Sequence, residues 1–314
     1  MRNSTIKASR PEFKRCFLHP RYWPLWIGIG LLRLLARLPH RHKLKLGRPL
    51  GWLLYHMGGK RRSIAAANLR IAFPHWPAEK RQALLKAHFT SLGISLMELL
   101  IVWWGGYRSG QDYAERTLVT FHGLKHIKRL QEEGRGMILL VPHFTHIDLT
   151  GLFLQLELPF LAVYRPHDDP LMEYLITKGR TVWRNGQPWV QPVSKNNVRA
   201  MLKHLKQGGA LFYLPDQRFR NADARVDATF FGRPAPSNPA TSKLAKLAKA
   251  AVVPVFTRRI GEQYHITFLP PLEHFPSDDP LADTERLHRL YEQEIRENPA
   301  QYLWVHNRWD LKQP

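Results

Sequence analysis

Short apolar runs alternate with helical patterns from residue 118 towards the end of the chain. The run at Met137–Val141 is unbroken in its hydrophobicity, as expected for a strand that is covered on both faces. Strands that alternate with helices need crossover connections, and these produce a parallel or mixed sheet. We therefore predict an α/β fold with a mixed, largely parallel sheet that is flanked by helices.

The same patterns give the bounds of the predicted elements. The predicted strands are Val119–Phe121, Met137–Val141, Phe160–Tyr164, Ala210–Leu214, Val252–Phe256 and Tyr264–Leu269. The predicted helices are residues 78–104, Leu124–Glu133, Ile147–Leu156, Pro170–Arg180, Val198–Gln207, Ala240–Ala250 and Leu281–Asn298. Residues Phe230–Pro236 are predicted to form a loop before the helix at Ala240.

The positive charge of the chain is concentrated in its N-terminal part. The formal net charge is +22, and residues 1–80 contain 17 Lys or Arg residues but only Glu12 and Glu79 as acidic residues. An excess of this size indicates anionic partners. Because the basic residues lie beside tryptophan-rich apolar sequence, they favour a membrane surface over a nucleic-acid groove.

The apolar segment that begins at Tyr22 and ends at Leu38 is too short to cross a bilayer. Only 11 residues separate Arg21 from Arg33, whereas a spanning helix needs about 20. We interpret the segment as a helix that lies in the membrane interface, and a buried packing helix is the alternative. The composition changes near residue 115, so we predict an N-terminal membrane-associated helical region at residues 1–114 and a catalytic α/β core at residues 115–314.

The single cysteine, Cys16, limits the covalent chemistry that is available to the chain. One thiol cannot form an intrachain disulfide or a cysteine zinc cage, so we expect the folded part to lie in a reducing compartment. The histidines His143 and His146 lack further ligands at a spacing that suits zinc, so no metal site is predicted.

The predicted strand Met137–Val141 leads directly into a turn that carries His143, and Asp148 follows five positions later. Open α/β folds place their chemistry at the carboxyl ends of the strands. A histidine can take a proton from a hydroxyl if a partner fixes its tautomer, and we expect Asp148 to be that partner. An alternative is that Thr145 and Asp148 form an N-terminal capping box, in which case Asp148 only satisfies backbone amides.

The segment from His143 to Asp148 resembles the H-x4-D/E motif of the glycerolipid acyltransferase superfamily. Further stretches resemble its lipid A branch, the Kdo-dependent late acyltransferases that transfer lauroyl or myristoyl groups. These stretches are Leu18–Trp23, Ala67–Pro74, Val163–Pro166, Tyr213–Gln217, Val252–Pro254 and Gln301–His306. They are collinear from residue 18 to about residue 309, which is more specific than the His/Asp pair alone. Many members have Glu where this chain has Asp148, and the superfamily accepts either residue.

The resemblance implies an O-acyltransferase that uses acyl carrier protein thioester as its acyl donor and needs no other cofactor. Its acceptor would be the 3-hydroxyl of a hydroxyacyl chain on a Kdo-bearing lipid A precursor, in lipopolysaccharide or lipooligosaccharide biosynthesis. Both partners are anionic, which agrees with the charge of the chain. The implied location is the cytoplasmic face of the bacterial inner membrane.

The resemblance also assigns roles to individual residues. His143 and Asp148 would be catalytic, and Arg165, at the end of the next strand, would stabilise the oxyanion or bind a substrate phosphate. Asp216 and Gln217 match the third motif of the superfamily and would shape the acceptor site. Three nearby arginines could bind the acceptor's phosphates, and they are Arg218, Arg220 and Arg233. The alternative is that they belong to a mobile basic loop.

Other functions remain open at this stage. An acyltransferase of the same fold could act on a glycerophospholipid or another glycolipid, and only acceptor specificity separates the two. The charge alone suggests a nucleic-acid-binding protein, but no helix-turn-helix, RNP or zinc module supports that class, and we expect no nucleic-acid partner. A structural protein of the membrane periphery would leave His143, Arg165 and Asp216 without a shared purpose.

Overall fold

A computed structural model describes residues 11–104 and 118–311 of the protein. The helices are α1 (Trp23–Leu35), α2 (His40–Met57), α3 (Gly59–Ala72), α4 (Ala78–Trp104), α5 (Leu124–Glu132), α6 (Ile147–Leu154), α7 (Pro170–Arg180), α8 (Val198–Lys206), α9 (Ala240–Ala248) and α10 (Pro280–Glu297). The strands are β1 (Val119–His122), β2 (Met137–Leu140), β3 (Phe160–Tyr164), β4 (Val182–Arg184), β5 (Gln187–Ser194), β6 (Ala210–Tyr213), β7 (Val226–Phe230), β8 (Arg233–Ser237), β9 (Ala251–Ile260) and β10 (Gln263–Phe268).

The main sheet has eight strands in the order β1-β10-β9-β2-β6-β3-β5-β4. Strands β9, β2, β6, β3 and β5 are neighbours and parallel. Strand β4 and the pair β1–β10 run in the opposite direction. The predicted mixed, largely parallel sheet flanked by helices is therefore confirmed.

Both faces of the sheet are covered, which explains the unbroken hydrophobicity of β2. Successive side chains of a strand point to opposite faces. Leu139 accordingly packs in one core cluster with Phe153 of α6, whereas Ile138 and Leu140 pack in the other cluster with Leu205 of α8. All four residues of β2 are buried, so the strand holds the residues that follow it rigidly.

The N-terminal region is helical as predicted. Helix α1 has no buried residue, and α2 packs along α4. Helix α4 is long and apolar enough to span a bilayer, but 56% of the candidate window is buried inside the protein, as expected for a helix that packs in the core. The predicted boundary between residues 114 and 115 lies outside the described residues, and the two-region division stays a prediction.

Two parts of the fold differ from the sequence-based prediction. Residues Phe230–Pro236 do not form a loop but contribute to the hairpin β7–β8. Strands β4 and β5 were not predicted at all. Prolines at Pro188 and Pro192 interrupt the strand pattern of β5, and a proline within a run normally argues against a strand.

The strand order brings the ends of β2 and β6 together. The two strands are parallel neighbours, and the N–H of Val141 donates to the carbonyl of Tyr213 at 3.0 Å just beyond them. The turns that follow β2 and β6 therefore lie side by side at the carboxyl edge of the sheet.

Candidate active site

The turn that carries His143 is fixed by a segment from the far end of the chain. The N–H of Leu303 donates to the carbonyl of His143 at 2.9 Å, and the N–H of Thr145 donates to the carbonyl of Gln301 at 2.7 Å. Phe144 and Tyr302 form a β-bridge between these two contacts. The backbone that holds His143 is thus tied down on both sides of the residue.

His143 is bonded to Asp216, which follows the neighbouring strand β6. The Asp216 carboxylate lies 2.6 Å from Nδ1 of the ring and accepts the backbone N–H of His143 at 2.9 Å. A carboxylate is only an acceptor, so Nδ1 carries a proton, and in the neutral ring Nε2 then has the lone pair. The arrangement presents Nε2 as the nitrogen that can accept a proton.

Asp216 is held in the charged form although it is buried. Its side chain is only 1% exposed, and burial by itself raises the pKa of a carboxyl group. The charge of His143, its two hydrogen bonds and the charge of Arg308 outweigh burial and bring the pKa of Asp216 below its ordinary value. Burial and then the negative charge of Asp216 raise the pKa of nearby Tyr302. The carboxylate is therefore fixed in position and can stabilise a positive charge on His143.

The arginine behind Asp216 is itself part of a closed network. Arg308 is 2% exposed and donates to the carbonyl of Pro236 at 2.7 Å and to Oγ of Ser237 at 2.6 Å. Neighbouring His306 has its pKa lowered to about 4 by burial and then by the charge of His143. His306 is thus neutral near pH 7, and its Nε2 accepts the N–H of Arg218 at 3.1 Å.

Asp148 does not make the orienting contact that we predicted for it. Its carboxylate accepts from Arg180 at 2.6 Å, while Asp216 occupies Nδ1 of His143. In place of the capping box, α6 begins after His146 and Oγ1 of Thr145 lies 2.8 Å from Oγ of Ser91. The reason is topological, because the end of β6 lies beside His143 and the first turn of α6 faces the end of α7. A catalytic role for Asp148 stays a prediction.

His143 and Asp148 lie at one end of a cavity of about 540 Å³. The cavity lies between α6 and the face of the sheet that α6 covers, and its wall is mainly apolar. The apolar lining residues are Val102, Ile147, Leu152, Phe160, Ala162, Val163, Val182, Val190, Phe212 and Leu214. A polar, proton-accepting mouth thus opens into an apolar chamber.

The far end of the cavity can be located from element geometry. Gly151 and Gln155 lie one and two turns beyond Asp148 on the lining face of α6, so the helix covers about 10 Å at 1.5 Å per residue. On the opposite wall Phe160 begins β3, and Arg165 follows its end about 16 Å away at 3.3 Å per residue. Gln155 and Phe160 are 1% and 3% exposed, so they mark the closed end, and the 71% exposed Arg165 marks the mouth.

The other predicted site residues divide into two groups. Arg165, Gln217 and Arg218 line the cavity. Arg165 is 71% exposed and, among the described residues, forms an ion pair with exposed Asp168 at 3.2 Å, so its guanidinium can reorient towards a ligand. Arg218 forms an ion pair with Asp310. Exposed Arg220 and Arg233 are not among the lining residues of the cavity, and their roles stay predictions.

Several functional candidates could not be identified from sequence reasoning. Arg180 and Lys195 line the mouth of the cavity beside Arg165. Tyr302 and Arg308 support Asp216 from the C-terminal segment. Tyr302 belongs to the Gln301–His306 stretch that carried the family resemblance, and that resemblance was the only signal that could have pointed to it.

These contacts define what the site can do chemically. A histidine with a free Nε2, oriented by a buried carboxylate, can remove a proton from a hydroxyl and later return it to a leaving group. The adjoining chamber can take an alkyl chain out of water. Arginine and lysine side chains at the mouth can bind anionic groups. The geometry suits acyl transfer from an acylated donor to a hydroxyl.

Comparison with known proteins gives a consistent result along the whole chain. A sequence profile described as "Bacterial lipid A biosynthesis acyltransferase" matches residues 10–310. The chain is 33% identical over 303 residues to the lipid A biosynthesis palmitoleoyltransferase of Escherichia coli, with 96% of this chain and 95% of that protein covered. It is 31% identical to the lauroyltransferase of the same organism, with 96% of each chain covered. It is 24% identical to the myristoyltransferase of that organism, with 94% and 89% covered.

Proposed function

Because this chain belongs to the bacterial lipid A biosynthesis acyltransferase family, and so transfers acyl groups in lipid A biosynthesis, we propose a specific donor and acceptor for it. The protein transfers a fatty acyl chain from acyl carrier protein to the 3-hydroxyl of a hydroxyacyl chain on a Kdo-bearing lipid A precursor. The observation that carries this proposal is the bonded pair of His143 and Asp216 at the mouth of an apolar cavity.

The proposed reaction begins with removal of the proton from the acceptor hydroxyl by Nε2 of His143. The resulting alkoxide attacks the thioester carbonyl of the donor, and the charge on the ring is stabilised by Asp216. The tetrahedral intermediate collapses to the new ester, and His143 returns the proton to the departing thiol. Arg165 at the mouth is the proposed partner of the oxyanion or of an acceptor phosphate.

The cavity supports the proposed donor because its apolar wall can bury an alkyl chain. Burial of each methylene of such a chain stabilises the complex by about 0.8 kcal/mol. Curated relatives named for palmitoleoyl, lauroyl and myristoyl transfer match this chain at 33%, 31% and 24% identity. Family membership therefore does not determine the length of the transferred acyl chain. We propose that the length of the cavity determines it.

The charge distribution supports the proposed partners and location. Arg165 and Lys195 supply positive charge at the mouth, where an anionic lipid A precursor would present its phosphates and carboxylates. An acidic acyl carrier protein would meet the same surface. The exposed apolar side chains of α1 include Trp23, Ile27 and Leu31, and we propose that α1 lies in the cytoplasmic leaflet of the inner membrane.

A competition between acceptors tests the proposed function. Purified protein in detergent is given acylated acyl carrier protein together with a Kdo-bearing lipid A precursor and a lysophospholipid, and both lipids are followed by mass spectrometry. We expect the lipid A precursor to gain one acyl chain through an ester to a 3-hydroxyl. Acylation of the lysophospholipid alone would show that the acceptor is assigned incorrectly.

The closed end of the cavity gives a prediction about chain length. A Cβ at Gly151 would lie 3.8 Å from the ring of Phe212, an ordinary contact, so Gly151→Leu should fold and block the cavity halfway. Exclusion of two methylenes costs about 1.6 kcal/mol, or about 15-fold in relative kcat/KM. We expect Gly151→Leu to favour shorter donors by this factor or more, and Gln155→Ala to admit longer ones. Rates with a series of acylated carrier proteins provide the measurement.

Leu247→Ala is the matched control for the cavity variants, since Leu247 is 59% exposed on α9. Its donor preference should equal that of the wild-type protein. An unchanged preference in both Gly151→Leu and Gln155→Ala would mean that the acyl chain binds elsewhere.

A further inference from the structure

We infer that the outer face of α2 is a second membrane-binding surface, separate from α1. It contacts the headgroups and the upper part of the acyl chains of an anionic bilayer. This inference rests on the proposed function only in requiring a membrane location. The surface, called the α2 face below, consists of Lys45, Leu46, Arg48, Trp52, Leu53 and Met57.

The apolar part of the α2 face is unusually exposed. Trp52 is 64% exposed, Met57 is 75% exposed, and Leu46 and Leu53 are each 43% exposed. Leu46, Leu53 and Met57 are seven and four residues apart, so they form one row along the helix. Adjacent large apolar side chains that remain in water mark an interaction surface.

The charge of the α2 face identifies the partner. Exposed Lys45 and Arg48 lie seven and four residues before Trp52 and so share its side of the helix, and the sequence contains no Asp or Glu between Glu12 and Glu79. Basic residues beside Trp and Leu on one exposed helix face are typical of helices that lie in the interface of an anionic membrane. The α2 face is complementary to a negatively charged lipid surface.

The opposite face of α2 is locked onto α4, which makes the exposed face a rigid surface. A Cβ at Gly47 would lie 2.4 Å from Cα of Ile94, and a Cβ at Gly93 would lie 2.2 Å from the carbonyl oxygen of Gly47. A Cβ at Gly51 would lie 2.4 Å from the carbonyl oxygen of Phe89. The two backbones are therefore in direct contact, and α2 cannot turn its apolar row inward without losing this packing.

The α2 face is mechanically distinct from α1. Helix α1 has no buried residue, and its half-buried Leu25 and Trp26 pack against a small cluster that includes Leu171 of α7, whereas α2 buries Leu44, Gly47 and Gly51. Lipid contact through α2 therefore fixes the orientation of the α/β core relative to the membrane.

A fluorophore on α2 tests the inference in the full-length protein. Cys16 is the single cysteine, so Cys16→Ser with Met57→Cys gives one labelling site for an environment-sensitive dye. The matched control is Cys16→Ser with Leu247→Cys on α9, since Leu247 is also highly exposed. Vesicles of phosphatidylcholine mixed with phosphatidylglycerol are compared with vesicles of phosphatidylcholine alone, and brominated lipids serve as depth-dependent quenchers.

We expect the label at position 57 to shift to the blue and to be quenched by brominated lipid in the anionic vesicles, with a weaker response at high salt. The control label should remain in water. The response at position 57 should persist when Ile27→Ser and Leu31→Ser remove apolar side chains from α1. Substitution of Trp52 and Leu53 by Ser should weaken vesicle binding roughly tenfold and leave acyl transfer in detergent unchanged.

The inference is overturned if the label at position 57 stays in water, or if it responds equally to neutral vesicles. It is also overturned if acylated acyl carrier protein in solution, and not vesicles, produces the shift, because the α2 face would then be a protein-docking surface. None of these readouts depends on turnover, so they are independent of whether the proposed reaction is correct.

Discussion

Replacement of His143 by alanine is expected to lower kcat/KM for acyl transfer by about 10²–10⁴-fold, which corresponds to about 3–5 kcal/mol of transition-state stabilisation. The physical reason is that, in the proposed reaction, Nε2 of His143 accepts the proton of the acceptor hydroxyl, and alanine offers no group that can take this proton. The measurement is the initial rate of ester formation with acylated acyl carrier protein and the lipid A precursor.

The His143→Ala variant should keep its fold, because the imidazole is 20% exposed at the edge of the cavity. The backbone contacts of residue 143 to Leu303 and Asp216 do not need the ring. His75→Ala is the matched control, since His75 is exposed between α3 and α4, and it should retain full activity. Turnover near the wild-type rate in a folded His143→Ala protein would rule out the proposed proton transfer.

Replacement of Asp216 by asparagine is expected to lower kcat by a similar factor, about 10²–10⁴-fold. The amide is nearly the same size as the carboxylate, but it removes the negative charge that stabilises protonated His143. An amide NH₂ facing Nδ1 would also favour the other ring tautomer and so protonate Nε2. Alanine is a poorer test, because loss of the carboxylate would leave the backbone N–H of His143 without its buried acceptor.

A comparison of Asp216→Asn with Asp148→Asn shows which carboxylate orients His143, and the readout is an NMR signal that does not depend on turnover. In protein labelled with ¹⁵N-histidine, the Nδ1–H proton of His143 should resonate far downfield because of its 2.6 Å bond to Asp216. We expect this resonance to be lost in Asp216→Asn and kept in Asp148→Asn, whatever Asp148→Asn does to the rate. The reverse pattern would assign the orienting role to Asp148.

The sheet could be predicted from sequence because its signal is local. Runs such as Met137–Val141 are apolar at every position, since helices cover both faces of the sheet, and this pattern appears directly in the residue order. The missed elements are those in which local signals disagree with the tertiary structure. Strand β5 contains two prolines, yet it pairs with β3 on one side and with the edge strand β4 on the other.

The site was harder to predict because its contacts are distant in sequence. His143 and Asp216 are 73 positions apart, and they meet because β2 and β6 are neighbours. Strand order is not encoded in any single segment, so nearby Asp148 was the natural choice of partner. Asp216 was expected to shape the acceptor site, and its contact with Nδ1 of His143 could be seen only in three dimensions.

The supporting residues follow the same rule. Tyr302 and Arg308 reach Asp216 from the C-terminal segment, 86 and 92 positions away in the numbering of the chain. Arg180 reaches Asp148 from the last turn of α7. Each looks like an ordinary tyrosine or basic residue in the sequence, and its role depends on burial and on partners supplied by other elements.

The most direct test of the central claim is mass spectrometry of lipid A from cells that carry either the wild-type gene or the His143→Ala form at the same expression level. We expect wild-type cells to contain a lipid A species with one additional ester-linked acyl chain on a hydroxyacyl group, and we expect His143→Ala cells to lack it and accumulate the precursor. Identical lipid A in the two strains, with both proteins present in the cell, would contradict the account.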